Sequence, residues 1–579
     1  MVSLPMLVSR LRTEVLLVLA SACASAISFA DIDRAKLRQQ VQDFSAEAID
    51  QRLGPDYAFY HSNGFNEVFP EIWMAPTKQD AGGRPYQIGG PWTSDPGAYS
   101  STQGQILFAP DEETFGVDRV TILEWANGCF SERPEPPWWG GFRPEPTSAK
   151  WSAAAKGNPG VPIAMARGRG GWANCGVIVF SSGLVSAAGT ATASGTVPSW
   201  QLPREKIPTA VALTSKSEFA LVTVIDVARE RGELAVFALQ GGGNAAFVHD
   251  WRARYPCLPG TAWLSGMKLL GYIDLPVEFP TGISATGNDE SRWVFGTDGN
   301  VGMLGKWNLS KQSSRDSFRK GRNSGYASTA GYAVVISKHE NKAVFIDLEP
   351  LFKRVHDLYF TTAANFHKTR RLGPAPTQWP RTFTVEPNAR PCVISTVNVS
   401  EPTAVLAGLS RGENARAYIA SLDGTVGVYA LGGLATSGPA ASSDIIRVGE
   451  CQVGKNPVCL ADQKQTRDTI IAVSRGDREI VWIRHDGSST QVIRRLRDAR
   501  LIDPVFVEVA DTHGIEASLI TVADFHGRKI LNYRFSPMVF SMQGGATFGM
   551  GPDSSAEFEC GGVLDFPGSP FCISATNVN

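Results

Sequence analysis

Charge is scarce in this chain. Lys, Arg, Asp and Glu make up 19% of its 579 residues, with 55 basic side chains against 56 acidic ones and a formal net charge of −1. Spread so evenly, they give no long-range field to draw the protein onto nucleic acid or an anionic bilayer. Long apolar runs are missing too. The charge-free stretch from Val15 to Ala30 is short and rich in small residues, so no stable membrane span is expected. No C-x-x-C pair occurs, which argues against a structural zinc site, a thioredoxin-like redox pair and a C-x-x-C-H haem attachment. Neither G-x-x-x-x-G-K-[ST] nor H-E-x-x-H is found, removing the phosphate-loop and zincin readings. Gly408-Leu-Ser-Arg-Gly has the spacing of a nucleophile elbow. An elbow needs strand, turn and helix, whereas residues 413–419 run straight into another strand.

Glycine and proline are plentiful, at 58 and 36 residues, a profile that suits many strands joined by tight turns. Arg10 and Arg12 precede an apolar stretch that ends near Ala24-Ser25-Ala26. That is the pattern of a cleaved secretory signal over residues 1–26, which predicts an extracellular or periplasmic protein. Eight cysteines follow Cys23, at 129, 175, 257, 392, 451, 459, 560 and 572. An even count behind a signal peptide predicts disulfides. Cys451 with Cys459, and Cys560 with Cys572, are near enough in sequence to close local loops, and Cys129 with Cys175 is a further pairing. Asn308 and Asn398 match the N-glycosylation pattern, with Asn308 expected inside a strand.

The dominant signal is a repeat. An apolar run, a short polar turn and a second apolar run recur from about residue 206 to 536. The clearest copies begin at Ala220 and Leu234, Tyr332 and Ala343, Tyr418 and Val426, Ile470 and Ile480, and Leu519 and Ile530. Each reads as a β-hairpin that cannot bury both faces alone and must stack on its neighbours. The expected fold is all-β: a seven-bladed β-propeller over 116–540, with six or eight blades as alternatives. Blade units are expected near 117–183, 206–241, 269–310, 325–351, 386–433, 446–487 and 491–537. An insertion at 352–384 would lie between the fourth and fifth, helical at first and then broken by prolines. Residues 31–53 read as a helix, from Leu37, Val41, Phe44 and Ala48. An aromatic, loop-rich segment to residue 115 would pack on the propeller, and 541–579 would form a C-terminal tail.

The unit Ala333-Val-Val-Ile-Ser-Lys-His-Glu-Asn-Lys-Ala-Val-Phe-Ile-Asp-Leu resembles the repeat of the YVTN-type, lactonase-like seven-bladed β-propellers. In that repeat a strand, an Asn-containing turn and a strand ending in Asp precede the next blade. The resemblance implies a ring closed by pairing one terminal strand with the other end of the chain, with Gln105-Ile-Leu-Phe-Ala and Val539-Phe-Ser-Met as the two candidates. It does not imply one activity, since propellers host hydrolases, lyases, oxidoreductases and pure binding modules.

Equivalent hairpin turns in a ring emerge on one face. Read in order, they present Asp226 with Arg229, Asp298, His339 with Glu340, Asp423, Arg475 with Asp477, and Asp524 with His526. Such a rim offers Asp298, Asp423, Asp477 and Asp524 to a divalent cation such as calcium. It offers His339, Glu340 and His526 as an acid and base. Asp-Gly and His-Gly are also what tight turns use for their own geometry. The insertion gathers Arg354, His356, His367, Arg370 and Trp379, a set suited to an anionic or carbohydrate ligand. Against that stands a loop packed on itself by Leu358, Phe360, Phe366 and Trp379. The leading expectation is a secreted binding or scaffolding module for a protein or carbohydrate ligand. A metal-assisted hydrolase or lactonase at the central funnel is the alternative. A monomer is expected, because a closed ring leaves few free edges.

Overall fold

The computed structural model describes residues 162–535 apart from several connecting segments, of which the longest are 242–255 and 288–307, together with strands between 58 and 124 and between 539 and 578. The expected signal segment, the helix at 31–53, Asp298, Cys129 and Cys257 lie outside the described residues.

Six four-stranded sheets, wholly antiparallel, are built from residues 162–201, 206–274, 282–398, 402–452, 457–497 and 504–565. The first strands of successive sheets lie side by side, from Pro162–Arg167 through Lys206–Leu213, Gly282–Gly287, Pro402–Ala407 and Pro457–Asp462 to Pro504–Val509. Gly568–Ile573 then stands between Pro504–Val509 and Pro162–Arg167. The result is a β-propeller with these strands at its centre.

Each blade has the sequence its place demands. Second strands are covered on both faces by neighbouring blades, so they are apolar almost without alternation. Every residue of Phe219–Asp226, Gly331–Ser337 and Thr469–Ser474 is buried. Each fully buried Val, Leu or Ile there contributes about 1.5–3 kcal/mol. Separate apolar clusters fill the clefts between successive blades. Outer strands such as Ile446–Gln452 are half-buried to exposed.

The central strands share a device not read from the hairpins. Each of six has a proline followed by a register shift: Pro162/Ala164, Pro208/Ala210, Pro402/Ala404, Pro457/Cys459, Pro504/Phe506 and Pro570/Cys572. A central strand pairs on one edge only. Proline, lacking an N–H, and a bulge both belong on such an edge, where they stop it recruiting another strand.

The ring is joined by both ends of the chain. Gly104–Pro110 pairs with Gly568–Ile573 on one side and Ala58–Ser62 on the other, and Ala58–Ser62 pairs in parallel with Thr121–Glu124. Of the two closing candidates, Gln105–Ala109 is therefore the one used. Val539–Ser541 pairs instead with Gly545–Thr547 in a two-stranded ribbon.

Several expected boundaries shift for one reason. The repeat visible in sequence is the middle hairpin of each blade, while the central and outer strands are separated from it by variable connections. Leu264–Asp274, expected in a new unit, is the outer strand of the blade that starts at Lys206. The insertion is not between blades. Lys342–Asp347 pairs with Cys392–Asn398 across it, so it lies inside one blade. The expected N-terminal extension and C-terminal tail contribute Gly104–Pro110 and Phe558–Asp565 to sheets. Asn308 lies outside any strand and leads into the turn at 309–310.

The expected disulfides are not formed among the described residues: Cys392, Cys451, Cys459 and Cys572 are free thiols. Cys451 lies on the outer strand Ile446–Gln452 and Cys459 on the central strand of the next blade. Eight residues of sequence thus carry the chain from the rim of the propeller to its centre. Cys560 and Cys572 are split the same way, between the outer strand Phe558–Asp565 and the central strand Gly568–Ile573.

Candidate functional site

The antiparallel register divides the connections between two faces. One face carries the turns between second and third strands, at 181–183, 227–230, 338–341, 422–424, 475–478 and 525–528. It also carries the links to the next blade, at 202–205, 275–281, 399–401, 453–456, 498–503 and 566–567. All of these are short. From the opposite face leave short turns such as 214–218 and 486–489, and longer connections that include 308–330 and 348–391.

On the short-turn face Asp226, His339, Glu340, Asp423, Asp477, Asp524 and His526 lie at one turn per blade, but they do not converge, and the expected Asp298 belongs to a connection outside the described residues. Each acid binds its own turn or the adjacent inter-blade link. Asp226 accepts from the backbone N–H of Ala228 and Arg229 at 3.0 and 3.1 Å, and from Lys206 Nζ at 2.6 Å. Glu340 Oε2 accepts from the N–H of Glu278 and Phe279 at 2.8 and 3.0 Å and from Ser337 Oγ at 2.8 Å. Asp423 accepts from Thr425 N–H at 2.9 Å. Asp477 accepts from Lys455 N–H at 2.8 Å. Asp524 accepts from Ile502, Asp503 and Gly527 N–H at 2.5, 2.9 and 2.8 Å. These are staples that satisfy loop donors. Among the described residues, no group of three or more His, Cys, Asp or Glu is arranged to hold a metal ion.

The two histidines differ. His339 rests its ring against the edge of Phe279, with centroids 6.4 Å apart. Desolvation there, and then Lys338 beside it, hold it below the usual imidazole range. His526, largely exposed, hydrogen-bonds Asp503 through Nδ1. Burial works to raise the Asp503 carboxyl, and the Arg475 guanidinium with the His526 ring outweighs it, so the group sits below the usual carboxylate range. Asp524 is raised instead, because burial outweighs the three N–H donors that face it. A cleft of about 350 Å³ opens on this face beside Arg229, Arg231, Glu278, Glu340 and Lys342. Its arginines are committed, Arg229 to Glu233 at 2.5 Å and Arg231 to Asp274 at 2.7 Å.

On the opposite face the insertion folds as helix α2, Glu349–Tyr359, and helix α3, Ala363–His367, against helix α1, Gln312–Lys320, of the same blade. Three of its five candidate ligand residues are structural. Arg354 Nε donates to Glu386 at 2.7 Å, and Arg381 joins the same carboxylate at 2.5 Å. His356 Nε2 lies 3.1 Å from the Ser328 carbonyl, and burial lowers its pKa. Trp379 is 3% exposed and donates from Nε1 to Tyr359 Oη at 2.8 Å. His367 and Arg370 remain exposed. Leu358, Phe360 and Phe366 are buried beside Trp379.

Lys268 was missed by sequence reasoning. It is 3% exposed, and its Nζ donates to the carbonyls of Gly373, Ala375 and Gln378 at 2.8, 2.8 and 2.9 Å, with desolvation lowering its pKa to about 8. The signal was available: a lone charge stands in the otherwise apolar run Met267-Lys268-Leu269-Leu270.

No family model matches the sequence, and no curated protein matches it. Among solved structures, the chain is similar to the periplasmic gluconolactonase of Pseudomonas aeruginosa, with 11% identity over 72% of this chain and 88% of that one and a TM-score of 0.36. It is similar to Sqt1 of Saccharomyces cerevisiae, with 8% identity over 71% and 76% and a TM-score of 0.37. It is also similar to the β-propeller domain of Myceliophteria thermophila Cps50, with 8% identity over 71% and 88% and a TM-score of 0.35. These likenesses concern the fold alone, and the propeller assignment rests on the chain's own sheets.

Proposed function

We propose that this β-propeller is a secreted binding or scaffolding module that engages a protein or carbohydrate ligand on its long-connection face. The observation that carries the reading is the division of labour between the faces. Acids on the short-turn face are occupied by backbone donors of the same turn or the adjacent link. Long described segments such as 308–330 and 348–391 leave from the other side, and long loops on a rigid scaffold are where binding residues concentrate. Carboxylates that already accept two or three hydrogen bonds make poor metal ligands or general bases unless those bonds break.

A paired assay tests this reading. The purified protein is screened on glycan and protein arrays, and separately with gluconolactone and aryl esters in the presence and absence of calcium. Binding without turnover is the expected result. Calcium-dependent turnover that disappears in Glu340→Gln or His526→Ala would establish the hydrolase instead and sink the proposal.

A further inference from the structure

A concentrated charge lies on the long-connection face, away from the ring of turns. Residues 308–330 and 348–391 hold twelve Lys and Arg against four Asp and Glu, in a chain whose total charge is −1. The two segments form one body. Phe318 of α1 stacks on Phe360 with ring centroids 5.0 Å apart and planes 8° from parallel. Ser310 Oγ lies 3.4 Å from His367 Nε2, which sets the start of α1 beside the end of α3. Lys311, His367 and Lys368 therefore share a neighbourhood, with Arg370 and Arg371 next in the chain. Arg319 and Lys320 end α1, about 13 Å further along its axis.

Most of the carboxylates in this cap are taken. Asp357 is held by Lys353, Asp316 by Arg319, and Glu386 by Arg354 and Arg381. Lys311, Lys320 and Arg371 are exposed and, among the described residues, make no ion pair. Lys368 is exposed and donates only to the Asn365 amide, at 2.8 Å. Among the residues whose side chains are described, the cap's Phe318, Phe352, Tyr359, Phe360, Phe366 and Trp379 are all buried. These rings are therefore not open for nucleobases to stack on. Val385 is the cap's one exposed large hydrophobic among the described residues, too little to wedge into a bilayer. What it presents among the described residues is a set of exposed cations with donors free to meet anions.

We propose that this cap binds an acidic polysaccharide, gripping carboxylate or sulfate groups with Arg371, Lys368 and Lys311 where α1 starts beside α3, and with Lys320 at the far end of α1. The inference rests on the reading that the long-connection face is the working face, and it names the ligand class. Lys and Arg meet such groups through charge-assisted hydrogen bonds. Affinity built this way falls as salt rises.

The test uses the full protein with polygalacturonate and dextran sulfate as probes. The variant K311E/K320E/K368E/R371E is compared with R204E/K338E/K455E/R478E, which makes the same change in net charge on the short-turn face. Circular dichroism confirms that both fold. The wild type and the second variant should bind alike, and the first should lose about tenfold or more in affinity at low salt. Equal losses in both variants would reduce the effect to net charge and overturn the proposal. So would unchanged binding by the first variant, or equally tight binding of duplex DNA or phosphatidylglycerol vesicles by the wild type. If the polyanion result fails in one of these ways while the wild type still binds a neutral glycan or a protein found on the arrays, only the polyanion inference falls and the binding-module reading survives.

Discussion

Arg475 closes on Asp503 with two hydrogen bonds, Nε to Oδ1 at 2.6 Å and Nη2 to Oδ2 at 2.8 Å. Arg475 belongs to the turn of one blade and Asp503 to the link leading into the next, so the pair fastens two blades together. A bidentate pair of this kind is among the stronger polar contacts a protein makes. Arg475→Met should cost about 1–3 kcal/mol in urea unfolding at pH 7. The folded Asp503 carboxyl lies below its ordinary value. Its contribution is therefore present above the ordinary carboxylate pKa and lost as pH falls through the folded one. The difference between variant and wild type should shrink towards pH 3. An undiminished difference there would show that Arg475 acts by packing alone.

Glu340 answers three donors through one oxygen. Glu340→Gln keeps an acceptor in place and should cost less than about 1 kcal/mol, whereas Glu340→Ala strands two backbone N–H groups and should cost about 2–3 kcal/mol. Hydrogen exchange offers a local check. The amides of Glu278 and Phe279 should lose protection in the alanine variant and keep it in the glutamine one. A catalytic carboxylate with no structural duty would give equal stability in both.

Lys268 anchors the proline-rich half of the insertion by three carbonyl oxygens. Lys268→Met removes every donor at once and should release residues 373–378 to protease before the propeller itself yields. The sign of the pH effect follows from the depressed pKa of about 8. Between that value and the ordinary lysine range the unfolded chain binds more protons than the folded one, so this group makes stability rise with pH over that window. The wild type should show the rise between pH 8 and 10, and Lys268→Met should not.

How far the sequence reached depends on where the signal lies. Phe219–Asp226 and Gly331–Ser337 are covered on both faces, so their apolar runs stand out and the propeller follows from stacking them. The central strands are harder to read. Pro457-Val-Cys-Leu-Ala-Asp looks like a broken strand until its single paired edge is known, and the proline then becomes the mark of its position. Outer strands such as Cys392–Asn398 are half-exposed and lie far from the hairpin they complete, which is why the insertion was expected between blades. Among site residues, the turns at Glu340, Asp477 and Asp524 were found, because turn chemistry is local. Their use as staples was not legible, since their donors at Glu278, Lys455 and Ile502 come from links whose approach only the ring determines.

The unpaired thiols give a sharp contrast with the disulfide expectation. Cys459 and Cys572 are buried on central strands, and burial pushes both thiols up, Cys459 to about 12. Cys392 is exposed. Brief treatment of the native protein with iodoacetamide, followed by peptide mass spectrometry, should label Cys392 and spare Cys459 and Cys572. Unfolding in urea without reductant should make those two reactive. A Cys451–Cys459 or Cys560–Cys572 linked peptide would show that the blades are joined differently.

Asp347 ends the strand Lys342–Asp347 and accepts the Glu349 N–H at 2.8 Å as the chain turns into α2. Burial raises its carboxyl to about 6, against the opposing pull of that hydrogen bond. A carboxyl that binds its proton more tightly when folded makes stability fall as pH rises from the ordinary carboxylate range to about 6. At neutral pH the buried charge is a standing cost, which solvent screening at the blade end limits to about 1–2 kcal/mol. Asp347→Asn keeps an oxygen for Glu349 N–H and removes the charge. The variant should therefore melt higher than the wild type at pH 7.5 and nearly with it at pH 4. A variant that melts lower at both pH values would mean that the charged form is held by contacts stronger than this one hydrogen bond.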